Sequence, residues 1–135
     1  MQTYKRSVFS LQNRTVYVEP VSTNDPNQLL HQTKTMIQIQ AAAQEQAAEI
    51  ARLIMMAMTE ECCLHFCGEG TGLKEFEQMM TTLVEREDSQ YSYKNTLVAM
   101  HRKKVVGIAT AYDGGQLHTL RRAFIESARD YLQKD

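Results

Sequence analysis

The chain has 135 residues, of which 43% are hydrophobic and 23% are charged, and its formal net charge is −1. These values are ordinary for a single globular domain, and so small a net charge gives no long-range field that favours nucleic acid or an anionic membrane. The apolar runs are too short to cross a bilayer, and the first residues lack the apolar core of a signal peptide. Three cysteines, two of them adjacent, do not make a paired disulfide framework. We therefore expect a cytoplasmic protein.

The first 35 residues differ in composition from the rest of the chain. They are polar, rich in Gln, Asn and Thr, and contain both prolines, Pro20 and Pro26. One short strand is predicted at 15–19, followed by a turn or loop at 22–27. Because this segment has little apolar surface to bury, we expect residues 1–35 to be a loosely attached extension and residues 36–135 to be the folded domain.

The next part of the chain changes from strand to helix periodicity. Apolar and polar residues alternate at 36–40, which predicts a half-buried strand. Apolar residues then recur at spacings of three and four, first at 44–65 and again at 72–86, which predicts two helices with one apolar stripe each. Three glycines between 68 and 72 separate these helices, because glycine is costly inside a helix.

The last third of the chain reads as a hairpin and a helix. Strands are predicted at 95–100 and 105–112, with a charged turn at 101–104 between them. The second strand is apolar on both faces, which predicts a position inside a sheet. A third helix is predicted at 116–132 from its apolar stripe. The order of elements is therefore strand, helix, helix, strand, strand, helix.

Three stretches with this order resemble the first half of a GNAT-type N-acetyltransferase. "MIQIQAAAQEQAAEIARLIMMAM" is similar to the opening strand and helix of that family, and "NTLVAMHRKKVVGIATAYDGG" is similar to its second and third strands. "LHTLRRAFIESARDYL", with "SQYSYKN" before the hairpin, is similar to a subgroup with a helical insertion after the third strand. The resemblance implies an α+β fold, an α/β three-layer arrangement in which helices flank a mixed, mainly antiparallel sheet that is incomplete in this chain.

The same resemblance implies the chemistry. Members of the family transfer an acetyl group from acetyl-CoA to a primary amine on a small molecule or a protein. They hold the pyrophosphate of acetyl-CoA with a loop of the form [RQ]xxGx[GA], which follows a fourth strand. Such a loop is expected beyond Asp135, so the resemblance covers the acceptor-side half only and implies no cofactor-binding residue within this chain. The resemblance implies an active acetyltransferase if the protein continues beyond Asp135, and an inactive one if it consists of these 135 residues alone.

Four residues are candidates for the acceptor-side cleft, although the sequence shows no catalytic residue. Glu60 and Glu61 could act as a general base toward an amine, or they could be a solvated helix end. Tyr112 and Asp113 end the predicted third strand, where their side chains could line a cleft, but an Asp before two glycines is also typical of a turn. In the family, the loop between the first two helices borders the acceptor cleft.

Two further patterns lie at the end of the first predicted helix. Residues 65–70 come close to the pyrophosphate loop, but they follow a helix instead of a strand, so a helix-terminating glycine loop is the preferred interpretation. Cys62, Cys63, His65 and Cys67 could ligate zinc, but no second ligand pair exists elsewhere. We expect buried thiols and no metal.

Two other functions remain open. One is a non-catalytic interaction or dimerisation module derived from the same fold. Its strand 105–112 would leave an open sheet edge, which a second copy or the chain's own residues 15–19 could cover. The other is a small unrelated α+β domain that binds a ligand through the glycine loop.

Overall fold

The computed structural model describes residues 16–17 and 36–133. An antiparallel sheet and the helices that flank it give the α+β fold expected from the sequence. In chain order the elements are β1 (Val16–Tyr17), β2 (Gln38–Ala41), α1 (Ala47–Met58), α2 (Glu60–His65), α3 (Leu73–Glu85), β3 (Thr96–His101), β4 (Lys104–Thr110) and α4 (Leu117–Leu132). Short 3₁₀ turns precede α1, β3 and α4.

The core lies between the helices and the inner face of the sheet. Helix α3 is central, because it packs against both α1 and α4 and its apolar stripe is fully buried from Phe76 to Val84. From the sheet, Val98 is fully buried, and Met100, Val105 and Ile108 pack against the core. The buried apolar side chains of the helices are those of Ala47, Ile50, Ala51, Ile54, Cys63, Phe76, Met79, Met80, Leu83, Val84, Ala123 and Leu132.

The sheet has the strand order β1-β2-β3-β4, and every neighbouring pair is antiparallel. Val16 lies opposite Ile39, so the N-terminal strand is added on the outer side of β2. This position contradicts the alternative in which residues 15–19 cover the other edge of the sheet. Residues 15, 18 and 19 of the predicted strand and the predicted loop at 22–27 lie outside the described residues.

Strand β4 is the outermost strand of the described sheet, whereas its apolar sequence predicted an interior position. Within the described sheet, the apolar residues of β4 have different surroundings. Val105 and Ile108 face the core, while Val106 belongs to a β-bulge opposite Ala99 and Met100 and is 49% exposed. The bulge and the bond from the Val105 N–H to Glu49 Oε2 (3.1 Å) occupy the start of this edge and leave its second half open.

The extension before residue 36 is predicted to be dispensable for folding. All of the buried apolar side chains described lie between Ala47 and Leu132, and β1 adds a ladder of only two residues to β2. A chain that starts at Met36 should therefore keep its far-ultraviolet circular dichroism and its cooperative thermal transition. Loss of that transition would show that residues before 36 are an integral part of the core.

Candidate functional site

The site begins at a break between the first two helices. The sequence predicted one helix at 44–65, but the backbone of Thr59 has φ 76° and ψ 152°, which ends α1 and starts α2. Few residues other than glycine adopt this conformation, and it costs about 1–3 kcal/mol. Three hydrogen bonds hold it. The Thr59 N–H donates to Met55 O (3.0 Å) and Thr59 O accepts from the Cys63 N–H (3.1 Å), while Thr59 Oγ1 accepts from the Cys62 N–H (3.3 Å). The break turns α2 away from the axis of α1.

A groove with a volume of about 500 Å³ opens at this break, between α1, α2 and the first turn of α3. We call it the Thr59 groove. Its apolar walls come from methionine, leucine and cysteine side chains, and its charged walls come from one arginine and two glutamates. The lining residues are Arg52, Met55, Met56, Thr59, Glu60, Cys63, Leu73 and Glu77.

The charged side of the Thr59 groove has an excess of negative charge. Arg52 Nε donates to Glu77 Oε1 at 2.8 Å, so these two charges neutralise each other. Glu60 also lines the groove, and among the described residues no ion pair involves it. One carboxylate therefore faces the groove without a cationic partner from this part of the chain.

The glycine loop between α2 and α3 is held by the end of α4. The Gly68 N–H donates to Leu132 O (2.9 Å), and Thr71 Oγ1 lies 2.8 Å from Gly68 O and 3.2 Å from Leu132 O. A Cβ atom on Gly68 would lie only 2.5 Å from Leu132 O, so only glycine allows this approach. The loop thus satisfies the last carbonyl group of α4, a group that a helix leaves without an intrahelical partner.

This arrangement bears on the resemblance of residues 65–70 to a pyrophosphate loop. A phosphate site of that kind needs free backbone N–H groups that converge on the anion, but the Gly68 N–H is bonded to Leu132. The interpretation of residues 65–70 as a loop in which a glycine ends the helix also needs one correction. Phe66, the C-cap of α2, is right-handed, and Gly70 is the only described glycine in the left-handed region (φ 81°). Close packing explains Gly68, and the turn explains Gly70.

A second group of side chains surrounds Tyr91, which the sequence did not single out. Its ring lies 6.0 Å from that of Phe124. Burial raises the pKa of its phenol, a hydrogen bond with the Gln90 side chain opposes the rise, and Tyr112 and Cys62 add to it. Gln90 Oε1 is itself buried and has no hydrogen-bond partner among the described residues. Tyr112 is 38% exposed, so this group opens to solvent at the end of β4.

The four residues proposed from the sequence lie in four different environments. Glu60 lines the Thr59 groove, and Glu61 is exposed in the first turn of α2. Tyr112 lies near Tyr91. The Asp113 carboxylate accepts from the Gly115 N–H (2.9 Å) and caps the 3₁₀ turn before α4, as the turn interpretation predicts.

The sequence contained a signal for the break that a continuous apolar stripe concealed. Thr59 is followed by Glu60 and Glu61, and a threonine before acidic residues is typical of a helix N-terminus. For Tyr91 and Gln90 no comparable signal exists. The ring of Tyr91 packs against Phe124 of α4, which comes from a distant part of the sequence.

The cysteines do not converge on one point. In the described residues, no group of three or more His, Cys, Asp and Glu side chains is placed to hold a metal ion. Cys63 Sγ lies 4.0 Å from Met55 O, and Cys67 Sγ lies 3.5 Å from Cys63 O. Burial is the main reason that the pKa of the Cys63 thiol is raised. The expectation of buried thiols is confirmed for Cys63 alone, since Cys62 and Cys67 are only partly buried.

Another groove, with a volume of about 580 Å³, lies between α3 and α4. Its lining residues all carry polar or charged groups, and two of them, Thr82 Oγ1 and the Tyr131 hydroxyl, form a hydrogen bond with each other at 3.1 Å. It has fewer apolar groups to hold a ligand than the Thr59 groove, and small-molecule sites are mostly apolar with a few placed polar groups. Its lining residues are Lys74, Glu77, Gln78, Thr81, Thr82, Glu85 and Tyr131.

The raised pKa of Tyr91 predicts a loss of stability in alkali. Below its ordinary value of 10.0 the phenol is neutral in both the folded and the unfolded state. Above that value the unfolded chain ionises first, so the stability falls as the pH rises toward the folded pKa. Tyr91→Phe should make this fall shallower, measured as the urea midpoint on either side of pH 10.0. The Cys63 thiol also has a raised pKa, but it is present in both proteins and its contribution cancels in the comparison. An unchanged dependence of stability on pH in the variant would contradict the assignment to Tyr91.

In the stretches that the structure describes, no helix has the length and apolar character needed to span a membrane. No protein-family model matches the chain, and a search of curated proteins found no match. Among solved structures, one described as the crystal structure of an acetyltransferase is similar, with a TM-score of 0.55 and 21% sequence identity. The alignment covers 68% of this chain and 48% of that chain, so it spans about half of the acetyltransferase. The chain thus has an acetyltransferase-like fold.

Proposed function

We propose that this chain forms the acceptor-side part of a GNAT-type N-acetyltransferase, which transfers an acetyl group from acetyl-CoA to a primary amine. The observation that carries the proposal is the likeness in fold to an acetyltransferase over 68% of this chain and about half of the other. The stretches of sequence that resemble the acceptor-side elements of that family are the second support for the proposal.

The site geometry supports the same assignment. The Thr59 groove provides an apolar space with a carboxylate, as an amine acceptor requires. The one glycine loop that resembles a pyrophosphate site is bonded to α4 through Gly68. In this proposal Glu60, Glu61, Tyr112 and Asp113 belong to the acceptor side, and the residues that bind acetyl-CoA belong to a part of the domain that follows this chain.

The chemistry is a direct transfer. The amine nitrogen attacks the thioester carbonyl carbon, the carbon–sulfur bond breaks, and coenzyme A leaves as the thiolate. The ammonium group that forms must lose a proton, either to a carboxylate such as that of Glu60 or through a chain of water molecules. The amine must also be deprotonated before it attacks, so a nearby base favours both steps.

Acetyl transfer by the protein expressed from its complete reading frame tests this proposal. The protein is incubated with acetyl-CoA and a panel of primary amines, and the products are identified by mass spectrometry. The expected result is a mass gain of one acetyl group on at least one amine, dependent on both protein and acetyl-CoA. Absence of acetylated product from aliphatic, aromatic and peptide amines would overturn it.

The open half of β4 favours a second candidate, a homodimerisation module. The Ala111 N–H donates to Asn95 O (3.0 Å) toward β3, so by strand alternation the Ile108 N–H points away from β3 and toward solvent. Such unpaired groups can pair with a second copy. The module predicts dimers in light scattering for the wild-type chain and monomers for Ile108→Pro, which removes the donor. Monomers of the wild-type chain at high concentration would exclude it.

A further inference from the structure

The Thr59 groove combines features that select a particular class of acceptor. Its volume of about 500 Å³ lies in the range of small-molecule sites, roughly 300–1,000 Å³. Met55, Cys63 and Leu73 supply apolar walls that are themselves partly or fully buried, while Met56 is 75% exposed at the mouth. Methionine side chains are flexible and polarisable, so they adapt to apolar ligands of varied shape.

The charge of the groove favours a cation. The guanidinium of Arg52 is bonded to the carboxylate of Glu77, which leaves the carboxylate of Glu60 as the excess charge among the lining residues. Glu60 is exposed, so its attraction for a ligand is modest and depends on salt. An anionic ligand would meet repulsion from Glu60 without a free guanidinium to bind.

The strained backbone of Thr59 positions the apolar walls and Glu60 around the groove. A continuous helix through residue 59 would remove the break between Met56 and Glu60 from which the groove opens. The conformation with φ 76° is costly in a β-branched residue, so the surrounding structure must hold it in place. Helices α2 and α3 do this, because they pack against α1 and against each other.

We infer that the Thr59 groove binds a primary amine with an apolar body, and that the ammonium group lies at Glu60 while the body packs on Met55 and Leu73. This inference rests on the proposed function and narrows its substrate class. It excludes strongly hydroxylated amines and anionic acceptors as the preferred ligands. An apolar amine gains both the burial of its methylene groups and the charge interaction.

The test is an NMR titration of the ¹⁵N-labelled 135-residue chain with n-hexylamine. Three ligands are compared: n-hexylamine, the neutral n-hexanol and the polar ethanolamine. We expect n-hexylamine to shift the backbone signals of Thr59, Glu60, Cys63 and Leu73 and to bind more tightly than either control. Equal affinity for n-hexylamine and n-hexanol, or shifts confined to the groove between α3 and α4, would overturn the inference.

Two variants test the role of the charge. Glu60→Gln should weaken n-hexylamine binding by roughly twofold to fivefold, as expected for an exposed ion pair, and should leave n-hexanol unchanged. Glu126→Gln, an exposed glutamate on α4 outside the groove, should change neither ligand. Equal affinities of the wild-type chain and Glu60→Gln for n-hexylamine would contradict the role of Glu60.

The two proposals fail separately. Groove binding without acetyl transfer by the complete protein would overturn the proposed function and leave a cation-binding groove. Acetyl transfer without binding in the Thr59 groove would retain the function and overturn the assignment of the acceptor site.

Discussion

Replacing Phe76 with alanine is expected to lower the free energy of unfolding by about 3–5 kcal/mol, as for other large-to-small changes at fully buried aromatic residues. Phe76 is 0% exposed and is the first residue of the buried stripe of α3. Its ring lies 6.4 Å from that of Phe66, whose ring in turn lies 5.5 Å from that of Phe124 on α4. Removing the ring leaves a cavity where α3, the glycine loop and α4 meet. Because domains are stable by only about 5–15 kcal/mol, the variant should lose a large part of its free energy of unfolding.

Urea denaturation followed by circular dichroism measures this loss. Met56→Ala is the matched control, because Met56 is 75% exposed and surface changes alter stability by less than about 0.5 kcal/mol. Equal midpoints for Phe76→Ala and Met56→Ala would contradict a core centred on α3.

Gly68→Ala is expected to destabilise the fold by about 1–3 kcal/mol, the usual cost of forcing an extra group into a packed region. The new Cβ would lie 2.5 Å from Leu132 O and 2.9 Å from Gln133 O, and both are backbone atoms that cannot rotate away. Relief requires the glycine loop to separate from the end of α4, which would also lengthen the bond from the Gly68 N–H to Leu132 O.

Gly114→Ala is the control for the general effect of alanine on the unfolded chain. A Cβ there meets nothing within 4 Å, so this variant should be neutral or more stable by up to about 1 kcal/mol. Thermal and urea unfolding of the two variants should therefore move in opposite directions. A Gly68→Ala chain as stable as the wild type would show that the loop and α4 do not meet.

Local periodicity was sufficient to predict most of the elements. The stripes of α3 and α4 and the charged turn at Arg102 and Lys103 were visible because each depends on residues close in sequence. The break at Thr59 was missed, since the apolar stripe of α1 runs on into α2 and the single capping residue carries little weight against it.

Contacts between distant parts of the chain could not be predicted. Thr71 and Leu132 bond to each other across 61 positions, so the reason for a glycine at 68 is absent from its neighbours in sequence. The pairing of β1 with β2 rests on two residues, too few to give a pattern. The same limit applies to the candidate site: Glu60 was named as a possible base, but the groove beside it was not predicted, because its walls are set by how α1, α2 and α3 meet.

Calorimetric titration of the 135-residue chain with acetyl-CoA and, separately, with n-hexylamine tests the central claim most directly, namely that this chain carries the acceptor side of an acetyltransferase domain and not its cofactor site. The account predicts saturable binding of n-hexylamine and no micromolar binding of acetyl-CoA. Micromolar binding of acetyl-CoA, with no binding of the amine, would contradict it.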